Sequence, residues 1–187
     1  MVRKLKEIAD IQFGLYVKGQ SKGTIKYLLS SHFNNSFQPT KFEESYIELN
    51  EKSERFLLKP NDVILAGKGH RIFAWAYDAS FGTTIPSSLF YMIQTNPDEI
   101  IGDYLAYYLN SGNINPRLKQ IGAGSQITSI PKKELEQFEI VIPSIEKQMK
   151  IVAMAKLLEK NIELSKEIIE KKKTLKSGLI NKMISKK

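Results

Sequence analysis

The most constraining feature of the sequence is the stretch from Ser144 to Lys187, which contains no proline and a single glycine, Gly178. Apolar residues recur in it at intervals of three and four, the spacing of one helix face and close to a heptad repeat. Pro143 blocks helix on the N-terminal side, Ser144 can cap the first turn, and Glu146 suits the positive end of the helix dipole. The pattern therefore predicts one long helix over residues 144–187.

A helix of about 40 residues is about 60 Å long, roughly twice the diameter of a small domain. Most of its apolar face therefore cannot be covered by its own domain, and the pattern predicts pairing with another long helix as a coiled coil. A fold-back at Gly178 is an alternative that would hide this face. The residues predicted to line the dimer and partner interface are Ile151, Ala155, Leu158, Ile162, Ile169, Leu179 and Met183.

Residues 1–143 mix short strand-like and helix-like segments, which predicts an α+β fold. Residues 1–19 form a predicted strand-like opening that includes Leu15 and Val17 and is broken at Gly14 and Gly19. Further strands are predicted at Val63–Ala66, Ile72–Tyr77 and Leu89–Gln94, with a half-buried strand from Phe138 to Ile142, and helical spacing runs from Asp98 to Asn110. Most aromatic side chains are expected in the core. The predicted architecture is a globular domain of mixed strands and short helices over residues 1–143, followed by the long helix.

The formal net charge of +8 is unevenly distributed along the chain. Residues 1–143 hold 16 basic and 15 acidic side chains, whereas residues 171–187 hold seven lysines and no acid. The lysines near the end are either a solvated helix terminus or a phosphate- or partner-contacting segment. Any DNA contact by the globular domain must come from local clusters rather than from a generally basic surface.

Composition narrows the protein class further. The chain has no cysteine and only two histidines, so disulfides and thiolate zinc sites are excluded, and no metal or other cofactor is expected. No apolar run approaches the ~18 residues of a membrane span, and the N-terminus lacks an apolar signal core. We expect a soluble, cytoplasmic chain without membrane contact.

Two glycine-containing loops offer cations, amides and hydroxyls on flexible backbone, the groups that contact base edges and phosphates. They are Lys68–Arg71 and Gln120–Thr128. Solvated turns have a similar composition, so these loops alone do not identify a binding site. The candidate DNA-contacting residues are Lys18, Lys22, Lys68, His70, Arg71, Arg117, Lys119, Ser125, Gln126 and Thr128.

The sequence lacks the motifs of an enzyme. Gly67-Lys68-Gly69 does not fit a phosphate-binding loop, because the first glycine of that motif would fall at Asp62 and no Ser or Thr follows the lysine. Asn96-Pro97-Asp98-Glu99 has a superficial likeness to the catalytic tetrapeptide of amino-methyltransferases. It lacks the aromatic residue that stacks on a flipped base, and no glycine-rich cofactor loop precedes it. We therefore expect no catalysis in this chain.

Four segments follow one another in a specific order. They are the opening Leu5–Gly14, the strand entry Leu58–Leu65, the aromatic helix Tyr104–Ser111, and the loop, strand and helix start Gly122–Gln148. Their order resembles one half of the specificity subunit of a type I restriction-modification system, and the likeness covers essentially the whole chain. Asn61 stands where the family usually has glycine, Ser144 at its second proline, and Lys147 at a glutamate.

This resemblance implies a non-catalytic subunit whose recognition domain contacts a few base pairs of a split double-stranded DNA site. The long helices of such subunits pair antiparallel, act as a spacer and bind methyltransferase subunits, which carry S-adenosylmethionine; a restriction subunit can join the complex. This chain has one recognition domain and one helix, so we expect a homodimer with a palindromic, bipartite site. Pairing with a different half-subunit, or truncation of a longer chain, would also explain why the chain has only one recognition domain and one long helix.

Two other functions remain open from the sequence. A coiled-coil adaptor without nucleic-acid binding would use the long helix but would give the two glycine loops no role. A small nuclease or methyltransferase would need a phosphate, metal or cofactor motif, and the sequence offers none of these.

Overall fold

The structure is a computed structural model that describes residues 1–40, 45–122 and 129–185. The strands are β1 Val2–Lys4, β2 Ala9–Phe13, β3 Ile25–Leu28, β4 Tyr46–Ile47, β5 Val63–Ala66, β6 Ala74–Ala76, β7 Thr84–Pro86, β8 Phe90–Thr95 and β9 Glu139–Val141. The α-helices are α1 Glu51–Glu54, α2 Gly102–Asn110, α3 Asn115–Ile121, α4 Lys132–Gln137 and α5 Ile145–Ile184.

The central sheet has the strand order β2-β8-β5-β6, with all neighbours antiparallel. Every residue of β5 is buried, as its unbroken apolar sequence predicts for a strand covered on both faces. Helix α2 packs on β5 and β6. The side chain of Asn110, at the end of α2, hydrogen-bonds both the backbone N–H and the carbonyl of Ala74, each at 2.8 Å. This contact holds the helix on β6.

A second sheet, in the order β4-β3-β7, supplies the other part of the main core. Strand β3 pairs antiparallel with β4 and parallel with β7. Apolar residues of β3, including Tyr27 and Leu28, belong to the same buried cluster as Ile64, Phe73 and Phe90. Burial of this aromatic and aliphatic surface stabilises the two sheets as one unit.

A two-stranded sheet of β1 and β9 joins the beginning of the chain to the segment before α5. Val2 is paired with Val141, and the backbone N–H of Leu5 donates to the carbonyl of Phe138 at 2.9 Å. The buried Ile140 alternates with exposed neighbours, as predicted for a half-buried strand at this position.

Helix α5 begins at Ile145, and the Ser144 hydroxyl accepts from the backbone N–H of Lys147 at 3.4 Å, consistent with the predicted cap. The chain divides into two compact units, Met1–Met149 and the remainder from Lys150, so the first turn of α5 belongs to the first unit. Within α5, all of which is described, only Gln148 is buried. None of the helices in the described ranges is both long and apolar enough to cross a membrane.

The α+β fold with a long C-terminal helix is confirmed, and coiled-coil pairing of that helix stays a prediction. Two element boundaries differ from the predictions. The helix predicted from Asp98 begins only at Gly102, because Asn96 to Ile100 form a hydrogen-bonded turn. The strand-like opening of residues 1–19 is two short strands separated by a 3-10 turn, and β2 ends at Phe13.

Candidate nucleic-acid interface

One end of the central sheet gathers the connections that leave β2 and β5 and those that enter β6 and β8. The antiparallel register places them together, since Phe13 pairs with Tyr91, Ala66 with Phe90, and Leu65 with Ala74. We call this region the loop end and define it as residues 13–18, 67–73 and 87–89. Loops grouped on a rigid sheet are common sites of binding.

The structure joins the start of the first glycine loop to the residues that directly follow the second. The carbonyl of Gly67 accepts from the backbone N–H of Ile130 at 2.9 Å, and Lys68 forms an antiparallel bridge with Ser129. The N–H of Ser129 in turn donates to the carbonyl of Gly122 at 3.4 Å. The predicted contacts Ser125, Gln126 and Thr128 lie outside the described residues.

Tyr91 fixes Gly67 and Ile130, the residues next to the two loops, to the sheet. Its hydroxyl donates to the carbonyl of Ile130 at 2.7 Å, and burial raises the pKa of Tyr91 to about 12, so the donor stays protonated at neutral pH. A Cβ at Gly67 would lie 2.5 Å from the Tyr91 ring. Only glycine permits this close approach without a shift of the ring or the loop.

Lys68 is half-buried at the loop end, and its Nζ lies 4.5 Å from the centre of the Phe13 ring. The Phe13 ring in turn lies 4.5 Å from that of Tyr91. A cation over an aromatic face is attracted by the ring quadrupole, so the ammonium group is restrained beside the end of β2. His70, two residues further on, is exposed. Both side chains are placed where a ligand at the loop end could reach them.

Arg71 differs from these two, because its terminal guanidinium nitrogens are engaged within the chain. They donate to the carbonyls of Phe33 at 2.8 Å, Asn34 at 3.3 Å and Ser30 at 3.4 Å, and to the Asn35 side chain at 3.5 Å. Arg71 therefore positions the segment from Ser30 to Asn35 next to the loop end. Its role as a DNA contact stays a prediction.

Arg117 and Lys119 are exposed on α3. The side chain of Asn115, at the start of α3, donates to the carbonyl of Ile72 at 2.9 Å and so fixes the helix beside the loop end. The Arg117 guanidinium lies 5.2 Å from the Phe138 ring. It also lines a shallow cleft of about 410 Å³ that includes two glutamates, so its surroundings carry mixed charge.

Lys18 and Lys22 are both exposed after β2. Between them Gln20 exchanges two backbone hydrogen bonds with Tyr46, at 2.8 and 2.9 Å. Lys18 therefore belongs to the loop end, whereas Lys22 follows the contact with β4. Of the described candidates, Lys18, Lys68, His70 and Arg71 therefore belong to the loop end, and Arg117 and Lys119 lie on the helix that Asn115 fixes beside it.

Sequence reasoning missed a group of exposed apolar side chains at this end. Tyr16 is 87% exposed, and Val17 and Leu89 are about 40% exposed. The sequence pattern places residues 15 and 17 in a strand and favours core positions for most aromatic residues. The sequence signal for this exposure was Gly14. A strand that ends at this glycine no longer directs the apolar residues that follow it into the core.

The predicted interface residues of α5 are exposed in the single chain, apart from the half-buried Ala155. By helical spacing they share one face, with Ile151, Leu158, Ile162 and Ile169 near its centre. A second exposed apolar row lies about 100° further around the helix. Its members are Met154, Leu157, Leu164, Ile168 and Leu175.

Comparison with known proteins places this architecture among specificity subunits. The chain resembles the type I restriction enzyme MjaX specificity subunit of Methanocaldococcus jannaschii, with 27% identity over 93 residues, which cover 50% of this chain and 21% of that protein. It is also similar in structure to the type I restriction-modification S subunit of M. genitalium, with a TM-score of 0.62 and 15% identity over 87% of this chain and 40% of the other.

The HsdS subunit of Thermoanaerobacter tengcongensis is similar as well, with a TM-score of 0.59 and 16% identity over 90% of this chain and 39% of that one. The chain therefore spans about two fifths of these solved structures and about a fifth of the curated relative. A family model described as type I restriction modification DNA specificity domain matches residues 1–173. This match covers most of both compact units, and the chain belongs to that family of DNA specificity domains.

Proposed function

We propose that the chain is a non-catalytic specificity subunit that recognises one half of a bipartite DNA site within a type I restriction-modification complex. Membership of the family supplies the general role in DNA specificity. The proposal adds the location of DNA contact, the homodimer and the binding of methyltransferase subunits. S-adenosylmethionine would be held by those partner subunits, and this chain would supply discrimination between sequences.

The observation that carries the proposal is the contact, at the loop end, between the start of the first glycine loop and the residues that follow the second. The carbonyl of Gly67 accepts from the N–H of Ile130, and Lys68 is bridged to Ser129, directly after the central strand β5. Cations and backbone amides there suit phosphate contact, and neighbouring polar side chains suit contact with base edges. An adaptor without nucleic-acid binding would have no use for this arrangement.

The homodimer is inferred from the exposed face of α5. A continuous helix of 40 residues whose larger apolar side chains from Met149 onward are exposed would be costly to leave in water. An antiparallel pair formed by two copies would bury this face on both helices, with Leu158 and Ile162 near the middle. Two-fold symmetry then gives identical half-sites in opposite orientation.

The second apolar row supports a further partner on α5. A two-helix coiled coil buries one narrow face, and the row that includes Met154, Leu157 and Leu164 lies about 100° away from it. We assign this row to the methyltransferase subunits. One helix would then hold the DNA-reading domains together and carry the catalytic subunits.

Selection of DNA from a random-sequence duplex library tests the role in recognition. The purified full-length chain, alone and with its methyltransferase partner, is expected to enrich two inverted copies of a short motif around a spacer of fixed length. Neutralising Lys68, Arg117 and Lys119 together should abolish enrichment. An adaptor would enrich no sequence, and its partner binding would be unaffected by the three changes.

Light scattering at moderate salt tests the homodimer. We expect a mass of about twice 21.3 kDa for the wild-type chain and about 21.3 kDa for Ile162→Glu, which places a charge in the predicted interface. The control is Ala153→Glu, an exposed position on the opposite face of α5, which should remain dimeric. A monomeric wild-type chain would contradict self-pairing and would point to a different half-subunit.

A further inference from the structure

Tyr16 is the most exposed aromatic side chain among the large hydrophobic residues of the first unit's described part, at 87%. Val17 beside it is also exposed, and the exposed Leu89 belongs to the connection that runs alongside at the loop end. The two connections are in direct backbone contact, because Leu15 forms a parallel bridge with Ser87. Apolar groups displayed together in water are uncommon without a binding role.

The backbone on both sides of Tyr16 is fixed by one buried side chain. The Tyr27 hydroxyl donates to the carbonyl of Leu15 at 2.8 Å and accepts from the N–H of Val17 at 3.4 Å. Burial raises the pKa of Tyr27, which keeps this hydroxyl protonated for its donor role. Tyr16 is thus presented outward from a held backbone rather than from a free loop.

The preceding contacts fix the same segment to the sheet. The N–H of Gly14 donates to the carbonyl of Phe90, and that of Leu15 to Pro86, both at 2.9 Å. A Cβ at Gly14 would lie 2.4 Å from the carbonyl oxygens of Pro86 and Ser87, so the close approach needs glycine. Such a rigid support lowers the entropy that Tyr16 would lose on binding.

Two lysines belong to the same loop end as this apolar tip. Lys18 follows it by two residues, and Lys68 is held over the ring of Phe13, which ends β2 just before the tip. Lysines next to an apolar group are complementary to a surface that presents phosphates next to an apolar group. In B-DNA the base edges offer one such group, the 5-methyl of thymine in the major groove.

We propose that Tyr16 is a specificity-determining residue that contacts a thymine methyl group in each half-site, with Lys18 and Lys68 on the flanking phosphates. The inference rests on the DNA-recognition function proposed above. The proposed contact uses the aromatic ring of Tyr16 and does not require its hydroxyl group. Val17 and Leu89 extend the apolar contact around the same methyl group.

The test uses the DNA site selected by the wild-type full-length chain, with each thymine replaced in turn by deoxyuridine, which lacks only the methyl. We expect one position per half-site at which the replacement weakens wild-type binding about three- to tenfold. Tyr16→Ala should bind the thymine and deoxyuridine duplexes equally, whereas Tyr16→Phe should keep the difference. Leu49→Ala removes an exposed apolar side chain outside the loop end and should also keep it.

The outcomes separate this inference from the function on which it rests. A wild-type chain that selects a sequence but tolerates deoxyuridine everywhere, or selects half-sites without thymine, overturns the methyl contact and leaves DNA recognition standing. If Tyr16→Ala still binds the thymine duplex more tightly than the deoxyuridine duplex, the methyl contact is also overturned. This includes the case in which the substitution weakens binding to both duplexes by the same factor, which would indicate stacking on a base. A chain that selects no sequence removes both proposals.

Discussion

The side-chain oxygen of Gln148 accepts a hydrogen bond from the backbone N–H of Ile101 at 2.9 Å. The amide nitrogen of the same side chain donates to the carbonyls of Glu99 and Pro143, each at 3.0 Å. Gln148 is fully buried, so its polar atoms have exchanged water for these three partners. The first turn of α5 is thereby joined to the turn before α2 within the first unit.

Replacing Gln148 by alanine should lower the free energy of unfolding by about 1–3 kcal/mol, because it removes the side-chain partners of one N–H and two carbonyls in partly buried positions. Urea denaturation measures this change. The exposed neighbour Met149→Ala is the matched control and should change the stability by less than about 0.5 kcal/mol. Equal effects of the two substitutions would show that the hydrogen bonds of Gln148 contribute little.

Asn61 supports the same helix start from another direction. Its side-chain oxygen accepts from the N–H of Gly102 at 2.7 Å, and its amide nitrogen donates to the Thr95 hydroxyl at 2.6 Å and the Ile100 carbonyl at 3.1 Å. Its φ of 75° is in the left-handed region, which asparagine tolerates better than most residues. The residue thus combines a glycine-like backbone with a polar contact that glycine lacks.

We therefore expect Asn61→Ala to be more destabilising than Asn61→Gly. Glycine loses the side-chain hydrogen bonds, at about 1–2 kcal/mol, while alanine loses them and also adds about 1 kcal/mol of left-handed strain. Thermal and urea unfolding of the two variants measure the difference. If glycine were the worse substitution, chain entropy rather than backbone strain would control this position.

The start of α2 also explains what sequence reasoning could and could not predict. Strand β5 and helix α5 are predictable, since an unbroken apolar run and a long heptad-like repeat are local signals. The sequence predicts the start of α2 at Asp98 from the helical spacing of apolar residues between Ile101 and Leu109, a pattern that does not mark where the first turn begins. In the structure the acceptors for the first N–H groups come from Asn61 and Gln148, which are remote in sequence.

For the candidate site, the sequence likewise indicated the segments but not how they are placed together. Composition singled out the two glycine loops, but their proximity depends on the bridge between Lys68 and Ser129, which no local pattern encodes. For Arg71 the sequence suggested a ligand contact, whereas its partners are carbonyls about 40 residues away in the chain. Exposure of Tyr16 likewise depends on where β2 ends in three dimensions.

Arg71 provides a prediction that separates stability from DNA contact. Arg71→Ala removes four hydrogen bonds to the segment from Ser30 to Asn35 and should lower the free energy of unfolding by roughly 1–3 kcal/mol. Lys68→Ala loses one partly exposed cation–π contact and should cost about 0.5–1 kcal/mol. Urea denaturation gives both values, and binding to the selected DNA site is measured in parallel.

For Lys68→Ala we expect weaker DNA binding at nearly unchanged stability, as for a direct phosphate contact. Arg71→Lys keeps the charge but cannot span the same carbonyls, so it should resemble Arg71→Ala in stability. Wild-type stability in Arg71→Lys would show that charge alone, without the planar group, holds the segment.

Two buried tyrosines predict a loss of stability at alkaline pH. Burial raises the pKa of Tyr91 and of Tyr104 to about 12, against an ordinary value of 10.0, while their hydroxyls donate to the carbonyls of Ile130 and Val141, each at 2.7 Å. The folded state therefore holds these protons more tightly than the unfolded state. Their contribution is fully present below pH 10 and is lost as the pH rises towards about 12.

Unfolding of wild type, Tyr91→Phe and Tyr104→Phe in urea across this pH range checks the prediction. Each phenylalanine variant should be less stable than wild type at neutral pH, because a buried carbonyl loses its donor, and should show a shallower fall in stability from pH 10 to 12. All other ionisable side chains are common to the proteins compared, so the difference between slopes isolates the tyrosine. Parallel pH profiles would mean that the two phenols titrate alike in the folded and unfolded chains.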